Sequence, residues 1–298
     1  MSKESLNRAK SKKDDEWYTH YEDIAKEIPY YAHWLKGKVV FCPCDDPRKS
    51  KFYKYFMDNF TALGLRGLIT SHLDYPHSFW TEYDGKAERI HQFEGNGDFA
   101  SAEVSPLYKR ADVVITNPPF SLIPQFVKVL RMHRMKYLFI APMTILYYQS
   151  KYPYEEKIYP LVISKQLRIG YNDVRSFDNN DKPLGNVSWV TNFPVPFKTA
   201  IPIKFSMHDH LPNKRGKDQR YDIISSTNVR TATDTEIMHN ILHVPYLEFI
   251  PYDWKGLMAV PPTILYHWNP AQFRILGHAH NIKIDGKAMP IRIIIQKV

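Results

Sequence analysis

The chain has 298 residues, 44% apolar and 14% aromatic, with a formal charge of +9: enough to bury a large core, and basic enough to favour a polyanionic partner. Its two cysteines, Cys42 and Cys44, lie one residue apart, too close for an unstrained disulfide, which excludes a disulfide-stapled fold and makes a reducing compartment the expectation. The charged residues 1–16 lack the apolar stretch of a signal peptide, and no window reaches the roughly 18 apolar residues of a membrane span, so a soluble, cytoplasmic protein without membrane partners is expected.

In chain order, residues 1–15 are polar and read as a mobile lead-in, and residues 16–35 mix aromatic, apolar and charged positions as in a partly helical segment packed on a core. The apolar run 38–42 reads as a buried strand entering the turn Pro43-Cys44-Asp45-Asp46-Pro47. Residues 52–63 carry helical spacing closed by Gly64, and 65–73 form a second strand. The β-branched run 111–116 stops at Asn117-Pro118-Pro119; residues 122–132 are helical, and 137–142 form the next strand. Strands alternating with helices predict an α/β fold: a Rossmann-like, mostly parallel sheet with helices on both faces, whose ligands bind beyond the carboxyl ends of the strands. After about residue 165 short β-like runs take over (167–171, 187–193, 292–295), which suggests a catalytic domain over 16–205 and a smaller C-terminal recognition region over 206–298.

Asn117-Pro118-Pro119-Phe120 at a strand end carries the most specific chemistry. An adenine amino group is a poor nucleophile because its lone pair is delocalised into the ring. Methylating it takes two fixed acceptors that draw the N–H bonds out of plane, and the Asn117 side-chain carbonyl and the Pro118 backbone carbonyl suit that task. Two prolines stiffen the loop, and Phe120 can stack on a base that has left its duplex. The same four residues also make an ordinary strand-ending turn.

With these residues in view, the chain resembles the EcoRI-type family of adenine-specific DNA methyltransferases, within the wider amino-methyltransferase superfamily. Glu16-Trp17-Tyr18-Thr19 looks like the segment that holds the methionine part of the cofactor. Phe41-Cys42-Pro43-Cys44-Asp45-Asp46-Pro47, with Ser50 and residues 52–56 after it, resembles the first cofactor loop, and Gly95-Asn96-Gly97-Asp98-Phe99 the segment that reads the cofactor adenine. Residues 185–193 resemble a wall of the target-base pocket, and 252–262 with 268–273 match an element near the family's C-terminus. The resemblance spans roughly residues 14–298. It implies S-adenosyl-L-methionine as methyl donor and N6-methylation of a flipped-out adenine in double-stranded DNA. A cognate restriction endonuclease acting on the same site, with no direct contact implied, is a candidate partner, and the sequence leaves open whether the protein belongs to such a pair or acts alone.

The site residues implied are catalytic Asn117, Pro118, Pro119 and Phe120. For the cofactor they are Trp17, Tyr18, Thr19, Cys42, Pro43, Cys44, Asp45, Pro47, Asp98, Phe99 and Asn117. For the target base they are Phe120, Trp189 and Phe193. Plainer readings stand beside them: Asp45 as a helix cap, Asp98 as a turn cap, the cysteines as small apolar residues, Trp189 as core. His72 or Asp74 is a weaker candidate for the cofactor ribose. The basic run Lys214, Arg215, Lys217 and Arg220 is the candidate for DNA phosphates, against a plain solvated loop. No metal site is expected: the histidine pairs 208/210 and 278/280 lack further ligands. The first loop departs from the wider superfamily in having no glycine between Gly37 and Gly64. Methyl transfer to RNA or to a protein glutamine, and a catalytically idle DNA-binding relative, are the competing expectations.

Overall fold

The computed structural model describes residues 18–73, 78–147, 158–177, 183–184, 187–209, 221–224, 229–231, 236–237, 240–279, 283–284 and 287–298. Two compact units emerge: one of residues 1–158 and 165–195, the other of 159–164 and 196–298. The chain thus passes between units after Val195, ahead of the 205/206 division expected, and a short segment at 159–164 joins the second unit.

In the first unit the strands are β1 (Tyr18–Thr19), β2 (Val39–Cys42), β3 (Gly67–His72), β4 (Phe79–Tyr83), β5 (Glu88–Gln92), β6 (Val113–Thr116), β7 (Lys136–Pro142), β8 (Arg168–Asp173), β9 (Ser176–Phe177), β10 (Pro183–Leu184) and β11 (Val187–Thr191). Eight of them form one sheet in the order β5-β4-β3-β2-β6-β7-β11-β8. Its centre, β3-β2-β6-β7, is parallel. The flanking pairs are antiparallel. The chain goes outward from β2 to β3 and returns on the other side of β2 as β6. That reversal opens a crevice between the loops leaving β2 and β6.

The two innermost strands, β2 and β6, are short, rich in β-branched residues and buried along their whole length, as a sheet covered on both faces demands. One face packs Val40, Cys42, Ile115, Leu138, Ile140 and Trp189 against α1 (Tyr21–Glu27) and α2 (Lys51–Asp58). On the opposite face Phe41 meets Tyr108 of α3 (Ser105–Arg110), and Phe139 meets Phe126 of α4 (Ile123–Met132). Gly64 takes a left-handed φ of +61° after α2, the conformation its side-chain-free backbone supplies cheaply.

The second unit is built on β12 (Asp222–Ile224), β13 (Val229–Thr231), β14 (Glu236–Ile237), β15 (Ile241–His243), β16 (Met258–Val260), β17 (Phe273–Ala279) and β20 (Arg292–Lys297). They are ordered β12-β15-β16-β20-β17-β13-β14, with β18 (Lys283–Ile284) and β19 (Lys287–Ala288) as a separate pair. The segments matched to the family's C-terminal element brace this sheet. The Trp268 indole donates to the Phe273 carbonyl at 2.9 Å, and Gln272 brackets both backbone polar groups of Ile201. Asp253 accepts from Ser206 and from the backbone of Met207. No helix among the described residues is long and apolar enough to cross a membrane.

Candidate active site

Four stretches of the first unit meet at the carboxyl ends of the parallel strands. The first leaves β2. Cys42, the last strand residue, is fully buried in the core, so its side chain is not available to a ligand, a correction to the expectation for it. Pro43 is buried and its carbonyl accepts from Ser71 at 3.1 Å, tying the loop to β3. Burial also pushes the Cys44 thiol well above its ordinary range. Pro47 lies half-buried in the turn that follows.

Asp45 is almost wholly enclosed. Its Oδ1 accepts from Ser50 at 2.6 Å, its Oδ2 from Thr116 at 2.5 Å, and the backbone N–H of Asn117 also donates to it. The helix cap is Ser50, whose hydroxyl oxygen accepts from the backbone of Phe52 and Tyr53. Desolvation outweighs these donors and holds the Asp45 carboxyl up at about 6. Its neighbour behaves oppositely. Burial raises the Asp46 carboxyl, but two side-chain hydrogen bonds from Arg48, one from the Arg48 backbone and nearby His72 outweigh that and hold it low.

The second stretch, 93–104, is shaped by a residue nothing in the local pattern singles out. The Glu103 carboxylate accepts from the backbone of Gly95 and Gly97, each at 2.9 Å. Gly97 has φ of +69°, and a Cβ there would stand 2.7 Å from the His72 carbonyl. Glycine is therefore required for the loop to lie against the end of β3. Asp98 follows, half-buried, its Oδ1 accepting from Ala100 at 2.8 Å; desolvation raises its carboxyl. Phe99 departs from expectation: it is 6% exposed and packs edge-on to Phe126, which commits its ring to the core.

The third stretch is Asn117-Pro118-Pro119-Phe120. Thr116 closes β6 fully buried, Pro118 is buried, and Asn117, Pro119 and Phe120 are half-buried. Phe120 opens the helical turn Phe120–Leu122 and packs against the core. The fourth is β1, whose half-buried Tyr18 and buried Thr19 pair with Phe177 and Ser176 of β9. Two residues separate β9 from Asp173, the last residue of β8, and Asp173 is paired with Ser188, which is paired in turn with Ala141 near the end of β7. The register thus sets β1 and β9 at the edge from which the loops after β2 and β6 depart. The Thr19 and Ser176 hydroxyls are both buried without a hydrogen-bond partner among the described residues.

Two residues expected at the target base lie elsewhere. Because β11 runs antiparallel to β7, residues beyond Thr191 sit at the amino ends of the parallel strands, and Phe193 packs there on Trp34 and Tyr31. Trp189 is fully enclosed, edge-on to Phe52. Antiparallel reversal moves the first off the site, and core packing claims the second. Trp17, Asp74, His210, His280 and the basic run Lys214, Arg215, Lys217 and Arg220 lie outside the described residues. Among the described residues no group of three or more His, Cys, Asp or Glu side chains is arranged to hold a metal ion.

This sheet, with its crevice at the strand reversal and an Asn-Pro-Pro-Phe loop on its rim, is the Rossmann-like fold of a methyltransferase. The sequence profile of the family described as "Adenine-specific methyltransferase EcoRI" matches residues 5–296, and the chain belongs to that family; it is a DNA methyltransferase. It is 31% identical to the type II methyltransferase M.EcoRI of Escherichia coli, covering 98% of this chain and 95% of that protein. It is 32% identical to the type II methyltransferase M.MpnI of Mycoplasma pneumoniae, over 91% of this chain and 84% of that one. A third such relative, M.MgeORF184P of Mycoplasma genitalium, is 29% identical over 91% of this chain and 85% of its own length. No solved structure matches the chain.

Proposed function

We propose that the protein transfers a methyl group from S-adenosyl-L-methionine to the N6 amino group of an adenine turned out of double-stranded DNA. The observation that carries this reading is the position of Asn117 and Pro118, held on the rim of the crevice by a buried strand end, two prolines and a bond from the Asn117 backbone to Asp45. Pro118 adds a backbone carbonyl to the Asn117 amide, so two acceptors can take the two adenine N–H bonds and leave the nitrogen lone pair free to attack. Phe120 beside them offers an aromatic face for the base.

The donor, when bound, supplies an electrophilic methyl group on a sulfonium. The residues present fit such a molecule. Thr19, with its buried and unengaged hydroxyl, and Tyr18 would hold the amino-acid end. The loop Pro43, Cys44 and Pro47 would run along its middle, and Asp98, with one oxygen on Ala100, would accept from its adenine amino group. The C-terminal unit would read the DNA sequence, with Lys214, Arg215, Lys217 and Arg220 on phosphates. As in the type II systems its relatives are named for, methylation would shield the DNA from an endonuclease recognising the same site. A reducing intracellular setting suits the two unpaired cysteines.

Replacing Asn117 tests this most simply. Asn117→Ala is expected to lower kcat by about 10²–10³-fold, the usual cost of one preorganised polar group, with donor affinity nearly intact. A variant that keeps more than about a third of wild-type kcat, well short of that cost, removes Asn117 from the reaction.

A further inference from the structure

We infer that Asp45 is a positioning residue that locks the catalytic loop to the loop after β2, rather than a ligand of the methyl donor. The inference rests on the reading of residues 117–120 as the catalytic loop. Both carboxylate oxygens are already engaged: Oδ1 by Ser50, which caps α2, and Oδ2 by Thr116, which ends β6. A third donor is the backbone N–H of Asn117 itself. The side chain is 6% exposed, so little of it remains for a ligand. One carboxylate therefore joins the stretch after β2 to the end of β6 at the crevice, and the peptide it grips carries the asparagine that must hold the adenine amino group.

The electrostatics agree with a functional reason for the charge. With its folded value at about 6, above the ordinary 3.8, Asp45 adds stability fully only below 3.8, and that contribution is lost as pH rises through 6. At neutral pH the fold thus gives up stability to keep this carboxylate ionised. Cys42 and Cys44, the titratable neighbours on its own segment, are pushed well above their ordinary range by burial and by this same charge, and do not neutralise it. Ser50, Thr116 and the Asn117 backbone, the groups facing it, are neutral donors.

The test separates methyl transfer from donor binding, with calorimetric titration of S-adenosyl-L-methionine alone and methyl incorporation into unmethylated genomic DNA at saturating donor. Asp45→Asn is expected to lower kcat by about 10–100-fold, the scale of a small misplacement of a reacting group, while donor affinity stays within about threefold. Thr116→Val should do the same, Thr116→Ser should restore kcat to within about threefold, and the double variant Asp45→Asn, Thr116→Val should be no worse than either single one. Donor binding also reports folding, and should Asp45→Asn fail to fold, the Thr116→Val and Thr116→Ser pair decides alone. A weakened donor affinity with kcat recovered at saturation makes Asp45 a donor ligand and overturns the proposal, as do additive losses. An Asn117→Ala variant with full activity is a different failure, that of the catalytic-loop reading itself.

Discussion

Asp45 and Asp98 look alike in sequence, each an aspartate in a cofactor-loop candidate, and only their partners tell them apart. Asp45 has both oxygens bound within the protein, whereas among the described residues Asp98 shows a bond only at Oδ1, from Ala100, and on the proposed reading its Oδ2 takes the donor's adenine amino group. Burial also raises the Asp98 carboxyl, so a donor arriving from a ligand meets an anion short of partners. Asp98→Ala should remove one charge-assisted hydrogen bond and weaken S-adenosyl-L-methionine binding by about 1.5–3 kcal/mol, with the DNA sequence methylated unchanged. Titration calorimetry measures it, and an unchanged affinity places the donor's adenine elsewhere. At this scale the motif residues are legible in the sequence and their division of labour is not. Cys42, Phe99 and Trp189 sit in or beside motifs, yet all three side chains are spent on core packing.

At the scale of elements, the strand-and-helix alternation from β2 to β7 reads directly from the apolar runs and their stops. The β4–β5 hairpin goes unread, although Asp84-Gly85 lies at its turn: Gly85 has φ of +89°, and Asp84 accepts from the backbone of Lys86 and Ala87, while β5 is too polar and exposed to show a strand pattern. The inward face of α1 is harder. Asp23, Ile24 and Glu27 are all buried there, and two carboxylates on a core face look wrong until their distant partners are known. Glu27 accepts from Tyr31 and, across about 145 positions of sequence, from the backbone of Tyr171 and Asn172 and the Asn172 amide. It takes up the N–H groups of edge strand β8, whose register with β11 is interrupted between Ser188 and Val190. Gly170 makes room, since a Cβ there would stand 2.3 Å from the Glu27 carboxylate. Glu27→Ala strips the buried Tyr31 hydroxyl and two half-buried backbone donors of their acceptor, so thermal or urea unfolding should show a loss of about 2–6 kcal/mol. A loss under about 1 kcal/mol, that of a typical exposed bond, contradicts this role.

For the whole molecule, composition predicted a large core, and the alternation of strands and helices predicted a site beyond the carboxyl ends of the strands. What escaped prediction depends on direction and closure. The antiparallel return of β11 carries Phe193 to the edge opposite the catalytic loop, and a sequence alone does not say whether a late strand runs up or down the sheet. The passage between units at Val195 is flanked by Pro194 and Pro196, a break that the sequence reading does not single out among the many prolines of this region. Membership of an adenine-specific DNA methyltransferase family fixes the type of substrate, while the transferred group's destination rests on Asn117 and Pro118. The most direct test is base-resolved detection of modified bases in DNA from cells that express the chain, beside cells that express Asn117→Ala. N6-methyladenine at one defined sequence in the first, and its absence from the second, is the result expected here. A methyl group on cytosine, or adenine methylation that survives the substitution, contradicts the account.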